Sequence, residues 1–190
     1  MKSRTQTIVA LVVVALVGYR GGAMTFQNLD GMYRNSVLPL QYLDIVNYRT
    51  QRNRVLIMAM LLDRSPDGLK RRAEEMPENV KLIVKALEDY EKTDLSSEET
   101  KLLADLRATL VTYRMEGLLV ARDAMLKGDF ETAEKVYEDK ISAMAPKIAS
   151  TIDKLVSIQV KLAEEAYADA QRVNGEVTWI LLATSVAAIL

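Results

Sequence analysis

The sequence predicts an all-α protein, an up-down-up-down antiparallel four-helix bundle whose first and fourth helices continue into transmembrane helices. Three observations carry that prediction. Glycine and proline are scarce, 8 and 4 residues in 190, while 49% of the chain is hydrophobic and 27% charged; that is the composition of long helices. Apolar residues recur at heptad spacing in the second half of the chain, the pattern of helices packed on one another. An apolar stretch stands at each end, and no strand pattern competes.

The elements follow in order. Lys2 and Arg4 precede an apolar run from Ile8 to Tyr19. Counted from Thr5 to Met24, with Arg20 snorkelling to the interface, the run reaches the roughly 20 residues of a bilayer span. A charged start and a short apolar core also suit a cleaved signal peptide, but the far end of the chain favours an anchor. There Trp179 opens a second apolar stretch that lasts to Leu190, as an interfacial aromatic does. The positive-inside rule then sets the intervening domain outside the cytoplasm. The expected organisation is residues 1–24 as cytoplasmic start and first transmembrane helix, 25–176 as an extracytoplasmic four-helix bundle, and 177–190 as the start of a second transmembrane helix, cut short by the end of the chain.

Within the bundle, the first helix runs from about Thr25 to Asp63 and breaks at Arg64-Ser65-Pro66-Asp67-Gly68. The second runs from about Leu69 to Lys92, with Pro77 near its first turns. Ser96 with Glu99 forms a capping box for the third, which ends at Lys127 before Gly128. Its seam pairs Leu103, Leu110, Gly117 and Ala124 with Leu106, Tyr113 and Val120. The fourth opens on Asp129 as N-cap and continues into Trp179; Ile141, Ile148, Leu155 and Leu162 make one stripe, and Ala145, Ile152, Gln159 and Ala166 the other. Short loops make consecutive helices antiparallel. Pro39 and Pro146 are expected to bend their helices or to mark where regular helix begins.

Composition also bounds the chemistry. Cysteine and histidine are absent, which removes disulfides, thiol nucleophiles, Cys/His zinc sites, imidazole catalysis and His- or Cys-ligated haem. No cofactor is expected. The 25 basic and 26 acidic residues nearly cancel, and no basic stripe invites nucleic acid. Acids such as Asp105 and Glu116 sit in ordinary helical surface patterns, so no enzymatic activity is expected.

The most informative segment is Tyr48-Arg49-Thr50-Gln51-Arg52-Asn53-Arg54. An apolar seam of Leu40, Leu43, Ile57 and Leu61 continues in register through Asn47, Thr50 and Arg54. A guanidinium on a buried stripe costs several kcal/mol unless it is paired or meets an anion, and its planar fork suits a carboxylate. The plainer reading leaves Arg49 and Arg52 in solvent and pairs Arg54 with an acid on a neighbouring helix. Helix rise sets Arg54 and Lys147 at similar heights, about 45–50 Å from the anchors, and brings Tyr113 to the same layer. Arg49, Thr50, Arg52, Arg54, Tyr113 and Lys147 are therefore the candidate ligand-binding residues, for a small organic acid. The plainer reading of the last two is a core aromatic and an exposed lysine.

Four pieces carry a resemblance: Tyr33-Arg-Asn-Ser-Val-Leu-Pro-Leu-Gln-Tyr-Leu43, Gly128-Asp-Phe-Glu-Thr-Ala133, Tyr113-Arg114, and Trp179 opening the last apolar stretch. In order and spacing the chain resembles the four-helix-bundle sensor domain of methyl-accepting chemotaxis proteins over nearly its whole length. The resemblance implies a homodimer in the inner membrane with its sensor domain in the periplasm. It also implies ligand binding near the membrane-distal end and a small piston-like shift of the fourth helix, passed to a HAMP linker and a cytoplasmic kinase-control rod. Receptors similar to the bacterial aspartate receptor carry three arginines at intervals of five and four; Arg49 and Arg54 reproduce the first interval, but Met58 holds the third position. That departure favours a different carboxylate or a site inside one subunit. The resemblance leaves two alternatives: a ligand-free bundle that dimerises or docks a periplasmic binding protein and senses indirectly, or the same module on a histidine kinase or cyclase.

Overall fold

A computed structural model describes the backbone of residues 2–189 and the side chains of residues 12–186. Helix α1 (Lys2–Met32) passes through a π-helical turn, π1 (Tyr33–Val37), to α2 (Leu38–Leu62). Helix α3 (Pro66–Glu91) follows, then α4 (Ser97–Thr112), π2 (Tyr113–Leu118) and α5 (Leu119–Leu126) as one continuous rod. A second rod comprises α6 (Phe130–Val136), π3 (Tyr137–Ser142) and α7 (Ala143–Ile189). The described residues contain four long helices and no strand, an all-α four-helix bundle.

Two compact units divide the chain: Leu38–Gln159, which is the bundle, and residues 1–37 with 160–190. In the second unit the described apolar side chains lie largely open, Val12, Leu16, Tyr19 and Phe26 on α1 and Trp179, Leu182 and Val186 on α7. Among the described residues no helix is long and apolar enough to cross a membrane. Residues 1–11 and 187–190, which hold parts of both expected spans, lie outside the described side chains.

Local chemistry ends each bundle helix. Ser65 caps α3, its hydroxyl accepting from the Gly68 N–H at 3.3 Å, with Pro66 in the first helical position, where its missing N–H costs nothing. At the start of α4, Ser96 and Glu99 form the expected capping box. Gly128 closes the α4–π2–α5 rod with φ of 81°, a conformation open to glycine. Its N–H reaches the Met125 carbonyl and that of Asp129 the Ala124 carbonyl, a Schellman closure. Asp129 then caps α6 through the Thr132 N–H.

The core lies along α2, α3 and the two rods: Leu43, Ile57, Met60, Tyr90, Leu106, Met125, Ile141 and Leu155 are fully buried. The α2 seam steps through Leu43, Val46, Thr50, Asn53, Ile57 and Met60. Half of the register read from sequence is therefore shifted by one residue, and Asn53, not Arg54, lies inside; Asn47 is exposed. In the α4–π2–α5 rod Val120 is 41% exposed and Ala121 is buried instead. The cause is π2, which inserts one residue and advances the heptad. Gly117 lets π2 approach π3, since a Cβ there would stand 2.9 Å from Ile141 Cγ1.

The prolines acquire a reason here. Pro39 and Pro146 each fall four residues after a position in a π turn, Asn35 in π1 and Ser142 in π3. The widened turn takes the strain between the proline ring and the i−4 carbonyl. Both prolines mark the return to regular helix.

Acid sensitivity follows from the caps. The Ser65 hydroxyl, then the Arg72 guanidinium, then the Ser65 N–H hold the Asp63 carboxyl down to about 2, and Arg52 holds Glu75 low as well. Their stabilisation is present above the unfolded carboxylate range near pH 4 and is lost as pH falls through the lower folded values. There is no histidine to titrate near neutrality. A thermal midpoint level between about pH 6 and 8, falling below about pH 4 and less steeply in Asp63→Asn, is expected. A midpoint that drops between pH 8 and 6 would contradict the assignment.

Candidate ligand-binding site

A cavity of about 150 Å³ opens between α3 and the α4–π2–α5 rod, over α2. Its apolar wall is Val80, Ile83, Val84 and Leu87 from α3 with Leu110, Val111 and Leu118 opposite. Thr50, Asn53, Arg107, Tyr113 and Arg114 supply the polar lining.

The polar atoms there are unusual. Buried polar groups normally find partners, yet Thr50 Oγ1, Asn53 Nδ2 and Arg107 Nε are buried and have none. Thr50 is 5% and Asn53 0% exposed. A relay fixes the orientation of Asn53. Arg49 Nη1 donates to Asn79 Oδ1 at 3.1 Å, and Asn79 Nδ2 donates to Asn53 Oδ1 at 2.9 Å. With its carbonyl taken, Asn53 has only its N–H₂ left to offer. Arg107 is tethered from outside, Nη2 donating to Glu91 at 2.8 Å, while its Nε is buried without a partner.

The six residues singled out from sequence separate. Thr50 and Tyr113 line the cavity. Tyr113 is 2% exposed, and burial pushes its hydroxyl up against the opposing effect of Arg54. Arg49 acts at one remove through Asn79, and its guanidinium also lies 5.1 Å from the Tyr48 ring centre. Arg52 is held by Glu75 in a two-pronged pair at 2.6 and 2.8 Å; with both side chains near 40% exposed, this is worth at most about 1 kcal/mol. Arg54 donates to the Tyr137 hydroxyl at 3.2 Å, not to an acid. Lys147 is exposed and pairs with Asp105 at 2.7 Å, away from the cavity lining.

Asn53, Asn79 and Arg107 were missed. Val46 and Met60, three residues beyond Leu43 and Ile57, were the signal that would have moved the seam onto Asn53. The link between Asn79 and Asn53 spans 26 residues and leaves no mark in local spacing.

The family model of the four helix bundle sensory module for signal transduction matches residues 5–173. No curated protein and no solved structure matches the chain.

Proposed function

Because the chain belongs to the family of four-helix-bundle sensory modules for signal transduction, we propose that it is the sensor part of a membrane receptor. In this reading the bundle lies outside the cytoplasm, anchored by the apolar stretches at both ends, and binds a small organic acid. The signal leaves along α7 towards a cytoplasmic kinase-control domain, and two copies work as a dimer. The observation that carries direct sensing is the bundle cavity with unpartnered polar atoms at Thr50, Asn53 and Arg107.

The test joins residues 1–190 to the kinase-control half of a characterised receptor and adds small carboxylates to cells. A changed kinase output for at least one acid is expected. In the same cells the absence of native cysteine lets a single Asp94→Cys report position; a membrane-impermeant maleimide should label it without lysis. A labelled chimera that answers no carboxylate would move the reading to indirect sensing, and an unlabelled one would remove the extracytoplasmic assignment.

A further inference from the structure

We propose that the cavity between α3 and the α4–π2–α5 rod is the binding site, and that it takes a small monocarboxylate with a compact apolar body and a second acceptor oxygen. This rests on the direct-sensing reading and specifies its ligand. The first step is the sign of the hydrogen bonding. Asn53 Nδ2 and Arg107 Nε can only donate, and the Thr50 hydroxyl is free to donate as well. The occupant must therefore bring acceptors, on more than one of its atoms.

Charge narrows the class. Arg107 and exposed Arg114 give the lining two guanidinium groups and no carboxylate, and Arg107 is already paired with Glu91 at the surface, so one positive charge is left to be met. One anionic group suits this set, since a carboxylate can take Arg107 Nε with strong, charge-assisted geometry. A dicarboxylate would press its second charge against the valine and leucine wall, where desolvation opposes it. Size narrows it further, because about 150 Å³ is the volume that holds a benzene-sized body. Thr50 and Asn53, both on α2, then serve the second oxygen. Arg49 is a positioning residue, holding the Asn79 and Asn53 amides so that the N–H₂ of Asn53 is the group left without a partner.

The experiment titrates the full 190-residue chain in detergent micelles with four probes: 3-methyl-2-oxobutanoate, 3-methylbutanoate, 3-methylbutanamide and succinate. The keto acid should bind best and the plain acid more weakly, with no measurable binding of the amide or succinate. Arg107→Gln should weaken the keto acid by about 10- to 100-fold, and its fold should persist because its tie to Glu91 is at the surface. Thr50→Val removes a hydroxyl that has no partner, so the bundle should be no less stable while the preference for the keto acid over the plain acid shrinks about 3- to 10-fold. Binding unaffected by Arg107→Gln and Thr50→Val would overturn the site, and no binding of any probe would overturn the ligand class. If the receptor chimera still answers some carboxylate in either case, direct sensing stands and only this assignment falls.

Discussion

Replacing Glu99 by alanine is expected to cost the bundle about 2–4 kcal/mol, a large share of the 5–15 kcal/mol that holds a typical domain together. Glu99 is the rare carboxylate with no solvent exposure, and it survives there because both oxygens are saturated. Oε2 accepts the Ser96 N–H at 2.9 Å and the Ser96 hydroxyl at 2.8 Å. Oε1 accepts the Tyr90 hydroxyl at 2.9 Å and the Gln159 amide at 2.5 Å. Alanine removes half of the capping box, worth about 1 kcal/mol. It also leaves the buried Tyr90 hydroxyl without an acceptor, which costs about 1–3 kcal/mol if nothing relaxes, while the Gln159 amide keeps only its longer bond to that hydroxyl. Burial already pushes the Tyr90 hydroxyl up, so that group cannot find relief by ionising. Glu99→Gln should cost less, since Gln159 Oε1 is unpartnered and an amide turn lets it accept from the new N–H₂. Urea unfolding of the two variants decides it. Glu99→Ala within about 0.5 kcal/mol of wild type would show that the network contributes little.

The same residue shows what was legible in the sequence. Ser96 and Glu99 stand three apart, and that spacing alone announced a helix start. Nothing local announced that the carboxylate also reaches Tyr90 and Gln159, because those partners lie 9 and 60 residues away. Helix number, order and loops were readable because each depends on a few adjacent residues: Ser65-Pro66, Ser96 with Glu99, Gly128-Asp129. Registers were readable only until a π turn or an ambiguous apolar pair intervened. Met60 and Leu61 are adjacent and both apolar, so either could continue the α2 seam; choosing Leu61 put Arg54 inside in place of Asn53. Thr50 and Tyr113 line the cavity because they occupy seam positions that the sequence register and the structure share. The arginines drew attention by charge, yet three of them spend their hydrogen bonds on Asn79, Glu75 and Tyr137. The arginines that line the cavity, Arg107 and Arg114, sit in a stretch with no such cluster.

The fourth-helix stripe gives the sharpest comparison between heptad reading and structure. Leu155→Ala is expected to destabilise the bundle by about 2–5 kcal/mol, while Leu162→Ala costs less than about 1 kcal/mol. By periodicity the two leucines are equivalent, seven residues apart on one stripe with Ile141 and Ile148. In the structure Leu155 is 0% exposed, packed with Ile148 at 3% and Ile152 at 3%, whereas Leu162 is 38% exposed. Deleting three buried carbons at Leu155 loses their transfer free energy and leaves a void that a close-packed core fills only in part. At Leu162 much of the side chain already meets solvent, so both contributions shrink. The partner stripe breaks at the same level: Gln159 is 1% exposed, and its amide is tied to Glu99 and Tyr90. That polar plug ends the apolar seam, and it is why the stripe stops mattering to the bundle beyond it. Denaturant unfolding of the two alanine variants side by side provides the check. Equal losses would mean that Leu162 is covered by protein in solution, and the bundle would then have to be drawn longer than Leu38–Gln159.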